Sequence, residues 1–438
     1  MHVGGAATRF DSTRGRALHA VQRCARQRHT ARPRNIEVSV MAQSGLSSAR
    51  LARMHDVLSG HVERGEVPGL VTLLYRRGEV HVDAIGMHGV GSSTPMQRDT
   101  IFRIASMSKP ITAVAAMILV EECKLRLDEP VDRWLPELAK PRVLARLDAD
   151  VSDTVPAQRS ITTRDLLTFR FGFGLVLARP GQYPIQAAIS DAGLAPGPNP
   201  PRRTSDEYMK ALASLPLLAQ PGEKWLYHTG SDVLGVLIER VSGQSFPAFL
   251  KERLFDRLGM KDTAFHVPAD QLQRLPTSYV GSSKPGELLV ADRPTDGRWS
   301  RPPTFASGGG GLVSTVDDYL AFSKMLLMNG RHGTERILAR PTVELMTTDH
   351  LTAQQKSEAR IFFGDSRGWG FGVAVTTRRG DFGAPGRFGW DGGIGTSGYT
   401  DPAEDLIGIL MTQRMMDSPQ PPKVFNDFWT SAYAAIDD

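Results

Sequence analysis

The chemistry this chain can do starts with a serine and a lysine three positions apart. In Phe102-Arg103-Ile104-Ala105-Ser106-Met107-Ser108-Lys109-Pro110-Ile111-Thr112-Ala113, Ser106 and Lys109 stand where a polar turn gives way to an apolar run. On a helix, side chains at i and i+3 share a face. A lysine held beside a hydroxyl can take its proton, provided burial keeps the amine neutral. Ser106 is therefore a candidate acyl-enzyme nucleophile and Lys109 its candidate base. Ser106 is the one serine followed three residues later by a lysine, but a chain of this length yields such a match about once by chance. The same residues also read as an ordinary helix start. Ser108 would then be the cap, Pro110 a first-turn residue, and Ile111, Val114, Ala115 and Ile118 core.

A second serine competes with the first. Gly364-Asp365-Ser366-Arg367-Gly368 spells Gly-x-Ser-x-Gly, a nucleophile elbow that needs a strand before it and a helix after it. The residues that follow, Trp369–Val375, are strand-like and interrupted by glycine, so Ser366 is not expected to be the nucleophile. The run Ser307-Gly308-Gly309-Gly310-Gly311 has no lysine after it and reads as backbone passing close to a cleft rather than as a phosphate cradle.

The elements that must hold these residues follow from periodicity. Ser48–Arg64 has apolar residues at helical spacing. Leu70–Tyr75 and Val80–Ile85 flank Arg76-Arg77-Gly78-Glu79 and predict a β-hairpin. The Ser106 helix runs to about Glu122. Further helices are expected at Ile161–Leu167, Ser205–Leu215, Asp232–Val241, Pro247–Leu258 and Thr315–Met328, and a long loop, suited to be a lid, at 176–204. Strands are expected at Trp369–Val375, Arg387–Trp390, Gly398–Thr400 and Leu406–Met411. This order predicts an α/β (α+β) fold: one antiparallel sheet built from both chain ends and flanked by helices, with a mainly helical domain inserted. The expected division is an extension over 1–45 and a catalytic unit over 46–438. Within that unit, 46–105 and 305–438 form the sheet lobe and 106–304 the helical lobe, with a cleft between them.

Composition excludes several function classes. The formal charge of +5 is concentrated at the start, where residues 1–40 carry eight arginines against Asp11 and Glu37; that gives +6 there and leaves −1 on the rest. The basic balance thus belongs to a tail and not to a nucleic-acid-binding face. The tail has no apolar core of a signal peptide, so the expected location is the cytoplasm. The longest apolar run, Ile111–Val120, is too short to span a bilayer, which argues against a membrane partner. Two cysteines, Cys24 and Cys123, and no Cys/His cluster at zinc spacing imply neither a disulfide framework nor a metal, and no cofactor is expected.

Three segments together resemble a known set. Ser106-Met107-Ser108-Lys109 is similar to the first motif of the class C β-lactamase and penicillin-binding fold. Trp225-Leu226-Tyr227-His228-Thr229-Gly230-Ser231-Asp232, after Pro221-Gly222, resembles its second, Tyr-x-Asn element. Gly389-Trp390-Asp391-Gly392-Gly393 stands where the third, Lys-Thr-Gly or His-x-Gly, element belongs. Ile161–Thr168 and Gly310–Thr315 fit auxiliary segments, and the likeness spans about residues 50–430.

The resemblance implies that Ser106 attacks a carbonyl while Lys109 and Tyr227 share its proton. Free lysine and tyrosine both titrate near 10, so a base for neutral pH must fall by about three, worth ~4 kcal/mol. The backbone N–H groups of Ser106 and Gly393 are implied as the oxyanion donors. Trp390, Thr229, His228, Asp391 and Gly392 are the candidate substrate contacts. Two departures matter. Thr229 stands where the lactamases carry an amide, in an element one residue shorter than theirs. Trp390 replaces the cation that meets a lactam's carboxylate and offers apolar area with one N–H instead. This pattern is similar to the family VIII carboxylesterases and implies a small, neutral ester as substrate. A β-lactamase, a D-Ala carboxypeptidase or an acyltransferase working through the same acyl-enzyme stays open, and oligomeric state is not readable.

Overall fold

The computed structural model describes residues 44–438 except 198, 200 and 285. The expected extension thus falls outside the described residues, apart from Ser44 and Gly45. These two are part of the fold: the buried Arg76 guanidinium donates to the Ser44 carbonyl at 2.8 Å, which moves the start of the folded unit forward.

The chain opens with α1 (Ser48–Glu63), β1 (Gly69–Arg76) and β2 (Glu79–Gly86), followed by α2 (Ser108–Glu121), α3 (Thr229–Ser242) and α4 (Val316–Leu327). It closes with β3 (Arg367–Trp369), β4 (Ala374–Thr376), β5 (Phe388–Gly392), β6 (Thr396–Asp401), β7 (Leu406–Thr412) and α5 (Lys423–Ala434). These strands form one seven-stranded sheet in the order β3-β4-β5-β6-β7-β1-β2. Every neighbour pair is antiparallel, and the two chain ends meet where β7 pairs with β1. The fold is therefore the mixed α/β architecture with a large antiparallel sheet flanked by helices that the periodicity predicts.

Strand β1 shows why its apolar residues run without alternation. Leu70 and Leu74 pack with α1 and α5 on one face, while Val71, Leu73 and Tyr75 pack toward α2 and α4 on the other. A strand buried on both faces has no polar side to display. The β1–β2 turn places Arg77 and Gly78 at positive φ, the geometry a two-residue hairpin requires. One hydrophobic cluster joins the inner sheet face to α2, α3 and α4, so a common core runs through both expected lobes.

Several elements differ from expectation. Trp369–Val375 is not one strand but the β3–β4 hairpin, reversed through Gly370-Phe371-Gly372 with Gly372 at φ +72. The 176–204 loop contains a helix, Pro184–Asp191, anchored by buried Ile185 and Ile189. Pro247–Leu258 is broken into two α segments around a π turn at Lys251–Phe255. Helix α5 was not anticipated; Val424, Phe425, Phe428 and Ala432 seat it on the outer sheet face. Among the described residues, no helix is long and apolar enough to cross a membrane.

Candidate active site

Ser106 lies in a single 3-10 turn, Ala105–Met107, that leads into α2. Ala105 holds φ +43, a strained value for a residue with a Cβ, immediately before the candidate nucleophile. Ser108 is not a cap. It is the first residue of α2, buried, and its Oγ accepts from Leu312 N–H at 3.2 Å, tying the turn to the loop after the glycine run.

Lys109 is 0% exposed. Its Nζ lies 2.9 Å from Ser106 Oγ, 3.2 Å from His228 Nδ1 and 2.5 Å from the Gly309 carbonyl oxygen. Burial pushes the amine down to about 7, against the opposing pull of the Asp232 carboxylate. The neighbours also set where the lone pair of a neutral amine points. Asp232 Oδ2 stands 3.4 Å from His228 Nε2, so that nitrogen carries the proton and Nδ1 is an acceptor. The two amine N–H bonds then go to Gly309 O and His228 Nδ1. The lone pair is left for Ser106.

Asp232 is itself fully engaged. Ser307 Oγ–H donates to Oδ1 at 2.6 Å and Gly309 N–H donates to the same oxygen at 2.9 Å. Burial alone would raise this carboxyl, but His228 and these two donors hold it below its ordinary range. His228 is kept neutral mainly by burial and secondly by the Lys109 charge. Its backbone sits at φ +87, ψ −64 just before α3, which turns the ring toward Lys109. A Cβ on Gly309 would come within 3.0 Å of both Asp232 Oδ1 and His228 Nε2. The glycine run is therefore a close-approach segment, as its composition suggests.

Tyr227 stacks on Trp225, with Phe169, Phe362 and Trp390 around it. Lys109 Nζ faces its ring at 4.7 Å from the centroid. The phenol oxygen has Ser106 as one polar neighbour and accepts from Trp390 Nε1–H at 2.6 Å. Burial pushes this phenol well above its ordinary value, only partly offset by those two bonds. Tyr227 is therefore a phenol and not a phenolate. Since the indole can only donate, the tyrosine O–H is free to point at Ser106.

These groups open onto a cavity of about 320 Å³ whose lining includes Ser106, Tyr227, His228, Phe362, Trp390 and Gly393. Leu175, just before the 176–204 segment, and Pro196 and Gly197 within it also line the cavity. The cavity suits a small organic group and is walled largely by aromatic and apolar side chains.

A β-lactamase family model matches residues 54–424. The chain belongs to the β-lactamase family. Among curated relatives, protein Rv1367c of Mycobacterium tuberculosis is 38% identical over 367 residues, covering 81% of this chain and 88% of that one. Esterase EstB of Burkholderia gladioli is 31% identical over 389 residues, covering 84% and 91%. Of solved structures, EstCE1, a hydrolase with promiscuous acyltransferase activity, superposes with a TM-score of 0.73 at 26% identity, covering 88% of this chain and 99% of its own. The chain thus sits in a β-lactamase-fold enzyme family whose members include esterases and acyltransferases.

Within this β-lactamase-family chain the expected residues do not all meet. Ser106, Lys109 and His228 form one hydrogen-bonded group, Tyr227 has Ser106 as a polar neighbour and is bonded to Trp390, and Trp390, Asp391 and Gly393 reach the same cavity. Thr229 does not: it is buried in the first turn of α3 and lines no part of the cavity. Gly392 is also off the lining. A Cβ there would strike the Ile104 carbonyl, so its smallness lets β5 approach the Ser106 turn rather than contact substrate. Trp390 offers its ring to the cavity but its N–H is already committed to Tyr227. Asp391 is held by Ser397 Oγ–H at 2.6 Å and Tyr399 O–H at 3.2 Å, and burial pushes its carboxyl up. Ser366 lies after a helix and before β3, the reverse of a nucleophile elbow. Asp232, Ser307 and the Gly309 carbonyl were not anticipated as partners. The spacing of His228 and Asp232, i and i+4 at a helix start, was the available signal.

Proposed function

We propose that this protein is a serine esterase that cleaves small carboxylic esters, uncharged at the reacting carbonyl, through an acyl-enzyme on Ser106. The observation that carries this reading is Lys109: a fully buried amine, pushed down to about 7, whose Nζ stands 2.9 Å from Ser106 Oγ. Lys109 takes the hydroxyl proton as Oγ bonds to the ester carbonyl carbon. The N–H groups of Ser106 and Gly393 receive the oxyanion. Collapse of that intermediate expels the alkoxide, which takes a proton from the Tyr227 O–H while Lys109 restores it. Water then repeats the cycle on the acyl-enzyme and releases the acid. The largely aromatic and apolar wall, with Trp390 where a lactamase carries its cation, favours an uncharged group next to the reacting carbonyl; the cation on the lining is Arg367. Acyl transfer is the second reading, supported by the likeness to EstCE1 and by a lining apolar enough to favour an organic alcohol over water.

The test is a burst with p-nitrophenyl butyrate, covalent labelling by a phosphonate, and separate Ser106→Ala and Ser366→Ala variants. Loss of burst and label in Ser106→Ala alone is the expected result. An active Ser106→Ala with a dead Ser366→Ala overturns the reading. Adding a primary alcohol and analysing products separates hydrolysis from transfer.

A further inference from the structure

Behind Asp391 lies a second cavity, of about 280 Å³, lined by Arg367, Arg387, Asp391, Tyr399, Trp429 and Tyr433 among others. Arg387 is only 5% exposed. Its faces are covered: the guanidinium carbon lies 4.1 Å from the Trp429 ring centroid, 4.3 Å from Tyr399 and 5.5 Å from Tyr433. Rings on its faces leave a guanidinium only its N–H edge for further partners. Yet the Arg387 Nε is buried with no hydrogen-bond partner. Neither the Arg387 nor the Arg367 guanidinium has a hydrogen-bond acceptor among the described residues. The nearest carboxylate, Asp381, stands 3.9 Å from Arg387 and 3.7 Å from Arg367, with a side chain 43% exposed. Asp391 has committed its oxygens to Ser397 and Tyr399. A buried donor without an acceptor is costly, and a guanidinium more so than a neutral group.

Arg367 and Asp391 line this cavity and the Ser106 cavity alike, so the two chambers share a wall. We propose that the Arg367–Arg387 cavity is an anion subsite that takes a carboxylate at the far end of the ester processed at Ser106. The substrate class is then a monoester of a short dicarboxylic acid, neutral at the reacting carbonyl and acidic at its tail. The part that concerns substrate rests on the esterase reading; the anion subsite does not. Planar carboxylate geometry matches a guanidinium edge in a bidentate pair. The two guanidinium groups face one half-exposed carboxylate, Asp381, beyond hydrogen-bond distance, while the oxygens of Asp391 are held by Ser397 and Tyr399, so their N–H edges are open to a carboxylate ligand.

Two arms test this. In the first, kcat/KM for the p-nitrophenyl monoester of glutaric acid is compared with that for p-nitrophenyl butyrate. The acid ester is expected to win by about 10-fold, and Arg387→Lys and Arg367→Gln each to cut that ratio by about 5-fold or more. In the second, calorimetry follows glutarate binding to the full chain carrying Ser106→Ala, with binding lost on adding Arg367→Gln. Thermal melting reports whether each variant is folded, and Arg367, whose side chain is 25% exposed, keeps the test open if Arg387→Lys does not fold. No heat of binding together with a ratio near one overturns the proposal, as does a ratio unchanged in both variants. Glutarate binding without preference for the acid ester upholds the anion subsite and overturns its assignment to substrate. If wild type turns over neither ester, the esterase reading fails, and the calorimetry still decides the subsite.

Discussion

Lys109 and Arg387 are both buried cationic side chains, one on each side of the strand that carries Trp390 and Asp391, and their housings are opposite. Lys109 is met by three polar atoms, and its chief neighbour His228 is backed by an Asp232 that is itself fully hydrogen-bonded. Arg387 is gripped on its faces by aromatic rings and left without an acceptor. Lysine can answer burial by shedding its proton, and arginine cannot. In the proposed mechanism the first cluster therefore converts burial into a neutral base. The second keeps a charge that waits for an anion. Desolvation is the same force in both; the residue type decides whether it produces a reactive lone pair or a binding edge.

The sharpest way to break this contrast is to make the first site resemble the second. Lys109→Arg keeps length and hydrogen-bonding capacity but removes the lone pair. We expect kcat for p-nitrophenyl butyrate to fall by about 10³-fold or more, with loss of phosphonate labelling. Activity above a tenth of wild type would mean that Lys109 acts as a fixed charge and not as a base.

Asp232→Asn tests the support behind that base. A lysine that works as the free amine gives kcat/KM that rises with pH through about 7 and then levels. The Asp232 charge raises the Lys109 value, so removing it stabilises the neutral amine and moves this acidic limb to lower pH. The same change unseats His228, Ser307 and the Gly309 N–H, so kcat at the plateau is expected to drop by about 10- to 100-fold. A limb that stays in place or moves up would remove Asp232 from the electrostatics of Lys109.

How much of this was readable from residues alone depends on distance along the chain. The meeting of Ser106, Lys109 and Tyr227 was legible, because the first pair is local and the order of three segments supplied the third. So was the sheet, because β1 and β7 are mainly apolar and the helices carry periodic faces. The setting of Lys109 was not. It requires His228 to adopt a positive φ and the 307–311 run to arrive from two hundred residues away. Thr229 was misplaced as a substrate contact because a motif gives order and not the point at which helix α3 starts. The β3–β4 reversal depends on Gly370 and Gly372, which a strand pattern absorbs as interruptions. Helix α5 was hidden behind the proline-rich 418–422 segment, although Val424, Phe425, Phe428 and Ala432 carry its period. Arg387 was unreadable because its fate rests on Trp429 and Tyr433, from an element that had not been recognised.

Trp390 lines the first site and also holds its tyrosine. Trp390→Phe keeps the ring and deletes the N–H that reaches the Tyr227 oxygen at 2.6 Å. Losing one buried hydrogen bond that orients the phenol is expected to cost kcat about 10-fold while KM stays within about 2-fold. A change confined to KM would make Trp390 a pocket wall with no part in aiming the tyrosine proton.

The smallest expected effect probes whether Arg387 is truly unpaired. Asp381 is its nearest carboxylate, but 3.9 Å is beyond a hydrogen bond and the aspartate is substantially solvated. An ion pair of that kind contributes about 0–1 kcal/mol, so Asp381→Asn should shift the unfolding free energy by no more than that in urea titration. It should also tighten glutarate binding a few-fold, since it removes a competing negative charge. A loss of about 3–5 kcal/mol is the signature of breaking a buried pair by taking one partner away. That outcome would mean Arg387 already has its anion, and the contrast with Lys109 would reduce to two differently satisfied cations, with no ligand needed at the second.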